Sequence, residues 1–227
     1  MKLTIAENFF ILIHHPDKPR IEVTEVARNV GMIGAIFLDL SIEENIIIED
    51  GVIKVKSTKS NLLPAHNELL DILAKSPKRR KPKQWISRIN QRAGKTKRKL
   101  LESLEKKGII EIVHKRFLFI PYIQTLLVRR DMRENLIKQM RGIIFQNMEM
   151  DGQAPYLLGL IQACKAHKIV CNDKDEMKQS RKKIKEIIES DQIMQGVGTV
   201  IQEMQAAIMA AVIASSAASS AAVAGAH

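Results

Sequence analysis

The stretch "KRKLLESLEKKGIIEIVHKRFLFIPYI", residues 97–123, decides the fold expected for this chain. Its first half places apolar side chains at Leu100, Leu101 and Leu104, a spacing that is typical of a helix with one buried face. Gly108 follows the last turn, where glycine commonly ends a helix because it adopts a left-handed conformation without strain. The stretch therefore predicts a helix that ends near Gly108 and contributes its leucines to the core.

The second half of the same stretch predicts a β-hairpin at about 109–123. Two runs rich in β-branched and aromatic residues, "IIEIV" and "RFLFIPYI", flank His114 and Lys115, where we expect the turn. The second run is apolar enough for either self-association or membrane contact, although packing against the protein's own core is the commoner fate of such a run.

Helices predominate in the rest of the chain. Apolar residues recur at helical spacing in several segments, including 126–145 and 193–214. A further hairpin is expected at Asp50-Gly51, a dipeptide that favours tight turns between strands. These patterns predict a mainly α fold, a single-domain helical bundle with two or more small β-hairpins.

No linker divides the chain, so we expect one domain over residues 1–227. Its core would occupy about 3–214, followed by a frayed tail of small residues at 215–227. The uncharged segment 206–226 consists mostly of Ala, Ser and Gly, which gain little on transfer into lipid. A buried helix is therefore favoured over a membrane span.

Few side chains are arranged for catalysis or metal binding. Cys164, His167 and Cys171 carry metal-binding groups, but no fourth ligand follows at a matching spacing. The chain has no phosphate-binding loop, no nucleophile motif and no obvious pair of catalytic carboxylates. We therefore expect no enzyme, no cofactor and no metal site. Two cysteines without a disulfide framework also favour a reducing cytoplasm.

The positive charge of the chain is concentrated in one segment. The formal net charge is +11, and residues 75–107 alone contain fourteen Lys and Arg and two acids, a net charge of +12. A local basic face is the electrostatic signature of a protein that binds nucleic acid or an anionic membrane. Within it, Trp85, Ile86 and Ile89 are expected to belong to the core. The cations expected to be solvated and to attract a membrane are Lys78, Arg79, Arg80, Lys81 and Lys83.

A basic helix followed by a hairpin is also typical of winged-helix DNA-binding modules. The helix at 95–107 would enter the major groove and the hairpin at 109–123 would form the wing. Past Leu101, however, the exposed positions carry mixed charge, which is poorly suited to reading bases. Nucleic acid is therefore the alternative partner. The cations that would meet phosphates are Lys95, Lys97, Arg98 and Lys99.

Four segments, in this order, resemble the Golgi phosphoprotein 3 family: "AENFFILIHHPDKPR", "GMIGAIFLDLSI", "NELLDILAKSPKRRKPKQWISRI" and "KRKLLESLEKKGIIE". The similarity covers about residues 3–214. None of the segments is decisive alone, and the ordered set is more specific than any one of them. The resemblance implies a mostly helical, single-domain fold with a projecting hairpin at about 109–123.

The resemblance also implies a peripheral membrane protein that binds phosphatidylinositol 4-phosphate, which in eukaryotic members supports retention of Golgi glycosyltransferases. Family members that bind this lipid use one Trp and three Arg, at positions that correspond here to Thr24, Ile33, Gly94 and Lys97. Only Lys97 keeps the positive charge. Nearby cations that can substitute for the missing arginines are Lys95, Arg98 and Arg28.

We therefore predict a non-catalytic adaptor in the cytoplasm that associates peripherally with anionic phospholipid. The choice between phosphatidylinositol 4-phosphate and other anionic headgroups stays open. Expected partners are the membrane surface, a second copy through the hairpin at 109–123, and cytoplasmic tails of membrane proteins. A scaffold for acidic protein tails is a further alternative. The acidic N-terminal extension of eukaryotic members is not found in this sequence, so we expect a prokaryotic relative.

Overall fold

The architecture is known from a computed structural model, which describes residues 2–91, 93–150, 152–189, 203–204 and 206–214. The tail expected at 215–227 and part of the helix expected at 193–214 lie outside these residues.

The described residues form helices and two antiparallel hairpins, which confirms the predicted mainly α class. The helices are α1 Ile5–Ile13, α2 Glu25–Ile42, α3 Pro64–Ala74, α4 Pro82–Asn90, α5 Ala93–Lys106, α6 Arg130–Gln146, α7 Ala154–Ala163 and α8 Lys174–Ile188. The strands are β1 Ile46–Glu49, β2 Val52–Val55, β3 Ile110–Phe117 and β4 Ile120–Leu127. Residues 206–214 are also helical.

Helix α1 lies at the centre of the core and contacts α2, α5, α6 and α7. Its side chains at 9–13 are all buried, so the helix has apolar residues on every side instead of one polar face. Thr4 and Glu7 form a capping box at its start. The Thr4 hydroxyl accepts a hydrogen bond from the Glu7 backbone N–H, and the Glu7 carboxylate accepts one from the Thr4 N–H.

A buried carboxylate joins α1 to two neighbouring helices. Asp39 of α2 accepts hydrogen bonds from the backbone N–H groups of Ile5 and Ala6, at 2.8 and 3.1 Å. Its second oxygen lies 2.9 Å from Nε2 of His66 on α3. A carboxylate is favoured here because the helix N-terminus carries partial positive charge. Asp39 therefore ties α1, α2 and α3 together, and α5 packs against all three.

Helices α4 and α5 bury the apolar residues that the sequence assigns to the core. Each is at most 2% exposed: Trp85, Ile86, Ile89, Leu100, Leu101 and Leu104. Gly108 follows α5 with a φ of 66°, and the N–H of Ile109 donates to the Leu104 carbonyl at 3.0 Å. The predicted glycine cap is therefore confirmed.

Strands β3 and β4 form the predicted second hairpin, but the predicted turn at His114-Lys115 is wrong. Both of these residues pair with residues of the opposite strand, and the turn consists of Leu118 and Phe119. Their φ angles are 44° and 70°. Two-residue hairpin turns favour positive φ, which Asn and Gly usually supply. Two large apolar residues give no such signal, so the sequence did not mark this turn.

The longer hairpin also corrects the helix predicted at 126–145. Leu127 is the last residue of β4, and α6 begins only at Arg130. Leu127 is 5% exposed, and a buried apolar residue is compatible with the end of a strand as well as with a helix face. Helical spacing alone did not distinguish the two.

The hairpin at Asp50-Gly51 is confirmed, with β1 paired to β2 and positive φ at both turn residues. The backbone N–H of Ile53 donates to the Arg80 carbonyl at 3.0 Å, which attaches the basic segment before α4 to this hairpin.

Among the described residues, no helix combines the length and apolar character that crossing a bilayer requires.

Candidate functional site: a basic pocket at the base of the hairpin

A small pocket of about 170 Å³ lies where α1, α2, α5 and β4 approach the segment before α2. We call it the basic pocket, because three of its lining residues are cationic and none is acidic. The lining residues used below are Arg20, Arg28, Lys97, Leu101 and Thr125.

Lys97 enters the pocket from α5, together with Leu101 one turn further along the same helix face. Its side chain is half-buried. Burial lowers the pKa of the Lys97 ammonium group, the nearby Arg28 guanidinium lowers it further, and Glu25 acts in the opposite direction. A cation that is partly desolvated and close to another cation is stabilised when an anion binds between them.

Arg28 enters the pocket from the first turns of α2. Its guanidinium donates to Glu25 Oε1 at 2.7 Å and to Asn29 Oδ1 at 3.1 Å. The Arg28 side chain is 15% exposed, whereas that of Glu25 is 76% exposed. Glu25 therefore orients Arg28 and offsets part of its charge, while Lys97 adds a further cation to the pocket.

Arg20 is the third cation, and the sequence analysis did not identify it. It lies in the segment between α1 and α2, where its carbonyl accepts a hydrogen bond from the His15 N–H at 2.9 Å. Within the described part of the chain, its side chain has no carboxylate partner. No local pattern distinguishes Arg20 from the other cations near the two prolines, because its role depends on where this segment folds back.

His14 fixes the wall that β4 contributes. Its ring is buried, with Nδ1 2.7 Å from the His15 carbonyl oxygen and Nε2 2.9 Å from the Thr125 hydroxyl. Burial lowers the pKa of His14, and the hydrogen bonds with the backbone of His15 and Thr125 partly oppose this effect. The neutral imidazole therefore holds the base of the hairpin against the end of α1.

The structure brings two of the four predicted headgroup residues together and separates the other two. Lys97 and Arg28 line the same pocket. Lys95 lies against α3, with its ammonium 3.3 Å from Glu68. Arg98 is exposed and lies 3.6 Å from Glu102. Successive residues of a helix are about 100° apart around its axis, so neighbouring cations face different partners.

The predicted basic segment lies before and at the start of α4. Lys78, Arg79, Lys81 and Lys83 are exposed, in agreement with a solvated surface. Arg80 differs because its guanidinium stacks 4.9 Å from the Trp85 ring and donates to Ser76 Oγ at 2.6 Å. We call these five residues the basic loop.

The tip of the β3–β4 hairpin exposes large apolar side chains to solvent. The exposed fractions are 66% for Phe117, 75% for Leu118, 97% for Phe119 and 67% for Ile120. The adjacent Lys115 and Arg116 are also exposed. A contiguous apolar surface of this kind marks a binding surface on proteins that are otherwise soluble. It lies on the same hairpin whose base forms one wall of the basic pocket.

A family model described as Golgi phosphoprotein 3 (GPP34) matches residues 5–211. The chain belongs to the Golgi phosphoprotein 3 family. The family is known for non-enzymatic, adaptor-like proteins that associate with membranes peripherally. No curated protein matches the chain.

In this Golgi phosphoprotein 3 family member, the cysteines have structural contacts. Cys171 Sγ lies 3.3 Å from the Ser180 hydroxyl, and burial raises the pKa of the Cys164 thiol to about 12. Across the residues with described positions, no three His, Cys, Asp or Glu side chains form a cluster that could hold a metal ion.

Proposed function

We propose that this protein is a non-catalytic adaptor that binds anionic phospholipid headgroups at a cytoplasmic membrane surface. One observation carries the proposal. Arg20, Arg28 and Lys97 line one pocket at the base of a hairpin, and the tip of that hairpin is apolar and exposed. A headgroup needs cations, and the adjacent acyl region of a membrane needs apolar contacts.

The chemistry of the basic pocket suits a phosphate group. A guanidinium can donate two parallel hydrogen bonds to a phosphate, and an ammonium acts as a compact point charge. The volume of the basic pocket, about 170 Å³, is small, which favours a single phosphate over an extended polyanion. Within the proposal, phosphatidylinositol 4-phosphate is the leading ligand because the family resemblance implies it.

The hairpin tip and the basic loop supply the remaining membrane affinity in this proposal. Burying a large apolar side chain contributes about 1.5–3 kcal/mol, and a cation near an anionic bilayer contributes about 1 kcal/mol. Leu118 and Phe119 keep large side chains at positive φ, where they are strained. Such strain is commonly retained at functional positions.

Vesicle flotation with a lipid panel tests this function. Full-length protein is mixed with neutral vesicles, with vesicles that contain phosphatidylserine, and with vesicles that contain phosphatidylinositol 4-phosphate, at about 150 mM salt, where the Debye length is about 8 Å. We expect flotation with both anionic compositions and the strongest with the phosphoinositide. Equal flotation with neutral vesicles, or none with any, contradicts the proposal.

A duplex-DNA gel shift at the same salt concentration tests the nucleic-acid alternative. The outward positions of α5 include Glu102 and Glu105 beside Arg98 and Lys106, a mixed surface that is poorly suited to reading bases. Tight duplex binding without flotation would instead support the winged-helix interpretation. Sedimentation measures whether the protein also associates with a second copy.

A further inference from the structure

A second, larger pocket adjoins the basic pocket on the other side of Arg20 and Ile21. Its volume is about 770 Å³, within the range of about 300–1,000 Å³ that small-molecule sites occupy. It lies between the start of α2, the connection after α7 and Val212 of the helical residues 206–214. We call it the apolar pocket.

The aliphatic residues that line it come from the segment before α2, from α2 and from the last described helical residues: Ile21, Val23, Val26, Ala27 and Val212. The Cys164 thiol also lines the pocket, and it lies 3.4 Å from the Ala27 carbonyl oxygen. Because burial raises the pKa of this thiol to about 12, it carries no charge at neutral pH. A ligand with an apolar body fits these walls.

The charged groups around the apolar pocket are mainly positive. Arg20, Lys165 and Lys168 line it together with a single acid, Glu22. Glu22 is already paired with Arg133 of α6. Lys165 and Lys168 are exposed, and within the ranges that the structure describes neither has a carboxylate partner. The pocket therefore combines apolar walls with an excess of unpaired cations.

Lys165 occupies a position that glycine usually takes. Its φ is 55°, and it closes α7 with two hydrogen bonds, from its own N–H to the Gln162 carbonyl and from the Ala166 N–H to the Ile161 carbonyl. This is the Schellman arrangement, in which glycine avoids the strain of positive φ. A lysine here is strained, and it places a cation at the edge of the pocket.

We propose that the apolar pocket binds a free single-chain amphiphile with an anionic end group, such as a long-chain fatty acid. The chain lies against Val23, Val26 and Val212, and the anionic end pairs with Lys165 and Lys168. An acidic peptide fits less well, because its backbone polar groups would lack partners against aliphatic walls. This inference does not depend on headgroup binding in the basic pocket.

Isothermal titration calorimetry without vesicles tests the inference on full-length protein. The probes are palmitate and monopalmitoylglycerol, which share a chain and differ in charge, each below its micelle-forming concentration. We expect saturable palmitate binding and at least tenfold weaker monopalmitoylglycerol binding, which corresponds to about 1.4 kcal/mol. No saturable palmitate binding, or equal affinity for both probes, overturns the proposal.

Three variants locate the site. Lys165→Gly relieves the positive-φ strain, so it should keep or raise the melting temperature while it lowers palmitate affinity. Lys165→Gly combined with Lys168→Gln should lower that affinity at least tenfold. The matched control, Lys174→Gln with Lys178→Gln, removes two exposed cations of α8 outside the pocket and should bind as the wild type does. Equal affinity in the pocket and control variants contradicts the site.

A further variant tests the apolar wall. Val23→Asp places a charge against the chain and should abolish binding of both probes, with circular dichroism used to check the fold. Lys97→Glu should leave palmitate binding unchanged while it weakens vesicle binding. Palmitate binding without vesicle binding would refute the proposed function alone, and the reverse result would refute this inference alone.

Discussion

Lys97 and Arg98 are adjacent in the chain, but only Lys97 lines the basic pocket. Lys97→Glu removes a cation from the pocket and places a carboxylate beside Arg28. We expect at least tenfold weaker binding to anionic vesicles in flotation at about 150 mM salt, where distant charges are largely screened.

Arg98→Glu is the matched control for this prediction. It changes the net charge by the same amount on the same helix, but Arg98 is exposed and outside the pocket. The vesicle affinity of Arg98→Glu should stay within about threefold of wild type, since solvent-exposed charges contribute weakly. Equal losses in the two variants would mean that general charge, and not the pocket, determines binding.

His167 makes the stability of the fold sensitive to acid. Burial, with a smaller effect from the Arg181 charge, lowers its pKa from 6.5 to about 4. At pH values between about 4 and 6.5, His167 therefore binds a proton more readily in the unfolded chain than in the folded chain. Stability should fall as the pH falls from about 6.5 towards about 4.

His167→Asn should reduce the pH dependence of the melting temperature in that window. His114→Asn serves as the control, because His114 is exposed on β3. If the two variants have melting temperatures with the same pH dependence as wild type, burial of His167 does not cause the acid sensitivity.

At the scale of elements, the β3–β4 hairpin has a turn sequence that lowers stability but supplies the apolar tip proposed to contact the membrane. Replacing Leu118-Phe119 by Asn-Gly supplies the residues that this turn favours and removes the exposed apolar tip. We expect the free energy of unfolding to rise by about 1 kcal/mol and vesicle binding to weaken at least tenfold. Thermal unfolding and flotation of the same preparation measure both effects.

Val128→Asn is the control for the hairpin tip. Val128 is 54% exposed and follows β4, so the substitution removes one exposed apolar side chain that lies away from the tip. It should change vesicle binding little. A tip variant that gains stability and still floats as wild type would show that the apolar tip does not contact the membrane.

At the scale of the whole molecule, the uneven distribution of charge should orient the protein on a bilayer. Replacing Lys78, Arg79, Lys81 and Lys83 of the basic loop by Gln should weaken binding to anionic vesicles and reduce its dependence on salt. Each cation near the surface contributes about 1 kcal/mol. Flotation across a salt series measures this change.

The control for the basic loop replaces four lysines of α8 by Gln, at Lys174, Lys178, Lys182 and Lys185. Acids lie close to two of them, with Lys182 and Lys185 3.7 and 3.9 Å from Glu186 and Glu189. The loss of vesicle affinity should be clearly smaller than for the basic loop. Equal losses would indicate that net charge alone matters.

The buried faces of α4 and α5, the glycine cap and the presence of both hairpins could be predicted from the sequence. These features depend on residues close together in the chain, such as the spacing of Leu100, Leu101 and Leu104. The position of the second turn could not be predicted, because Leu118 and Phe119 are not turn formers. The long strand pairing imposes their positive φ.

The candidate site was only partly predictable for the same reason. Lys97 and Arg28 were candidates from the resemblance, whereas Lys95 and Arg98 face elsewhere and Arg20 had no local signal. The two pockets require contact between segments that are distant in sequence. The segment with Arg20 folds back between α1 and α2, and Lys165 approaches it from the end of α7.

The sequence by itself determined the helical class, the buried apolar faces and the concentration of positive charge in residues 75–107. These properties follow from composition and short-range periodicity, which act within a few turns of the chain. Only the tertiary structure decided which cations share a pocket, since Lys97, Arg28 and Arg20 come from three separate segments. Their convergence depends on the packing of α1, α2 and α5 around the common core, and no local pattern encodes that packing.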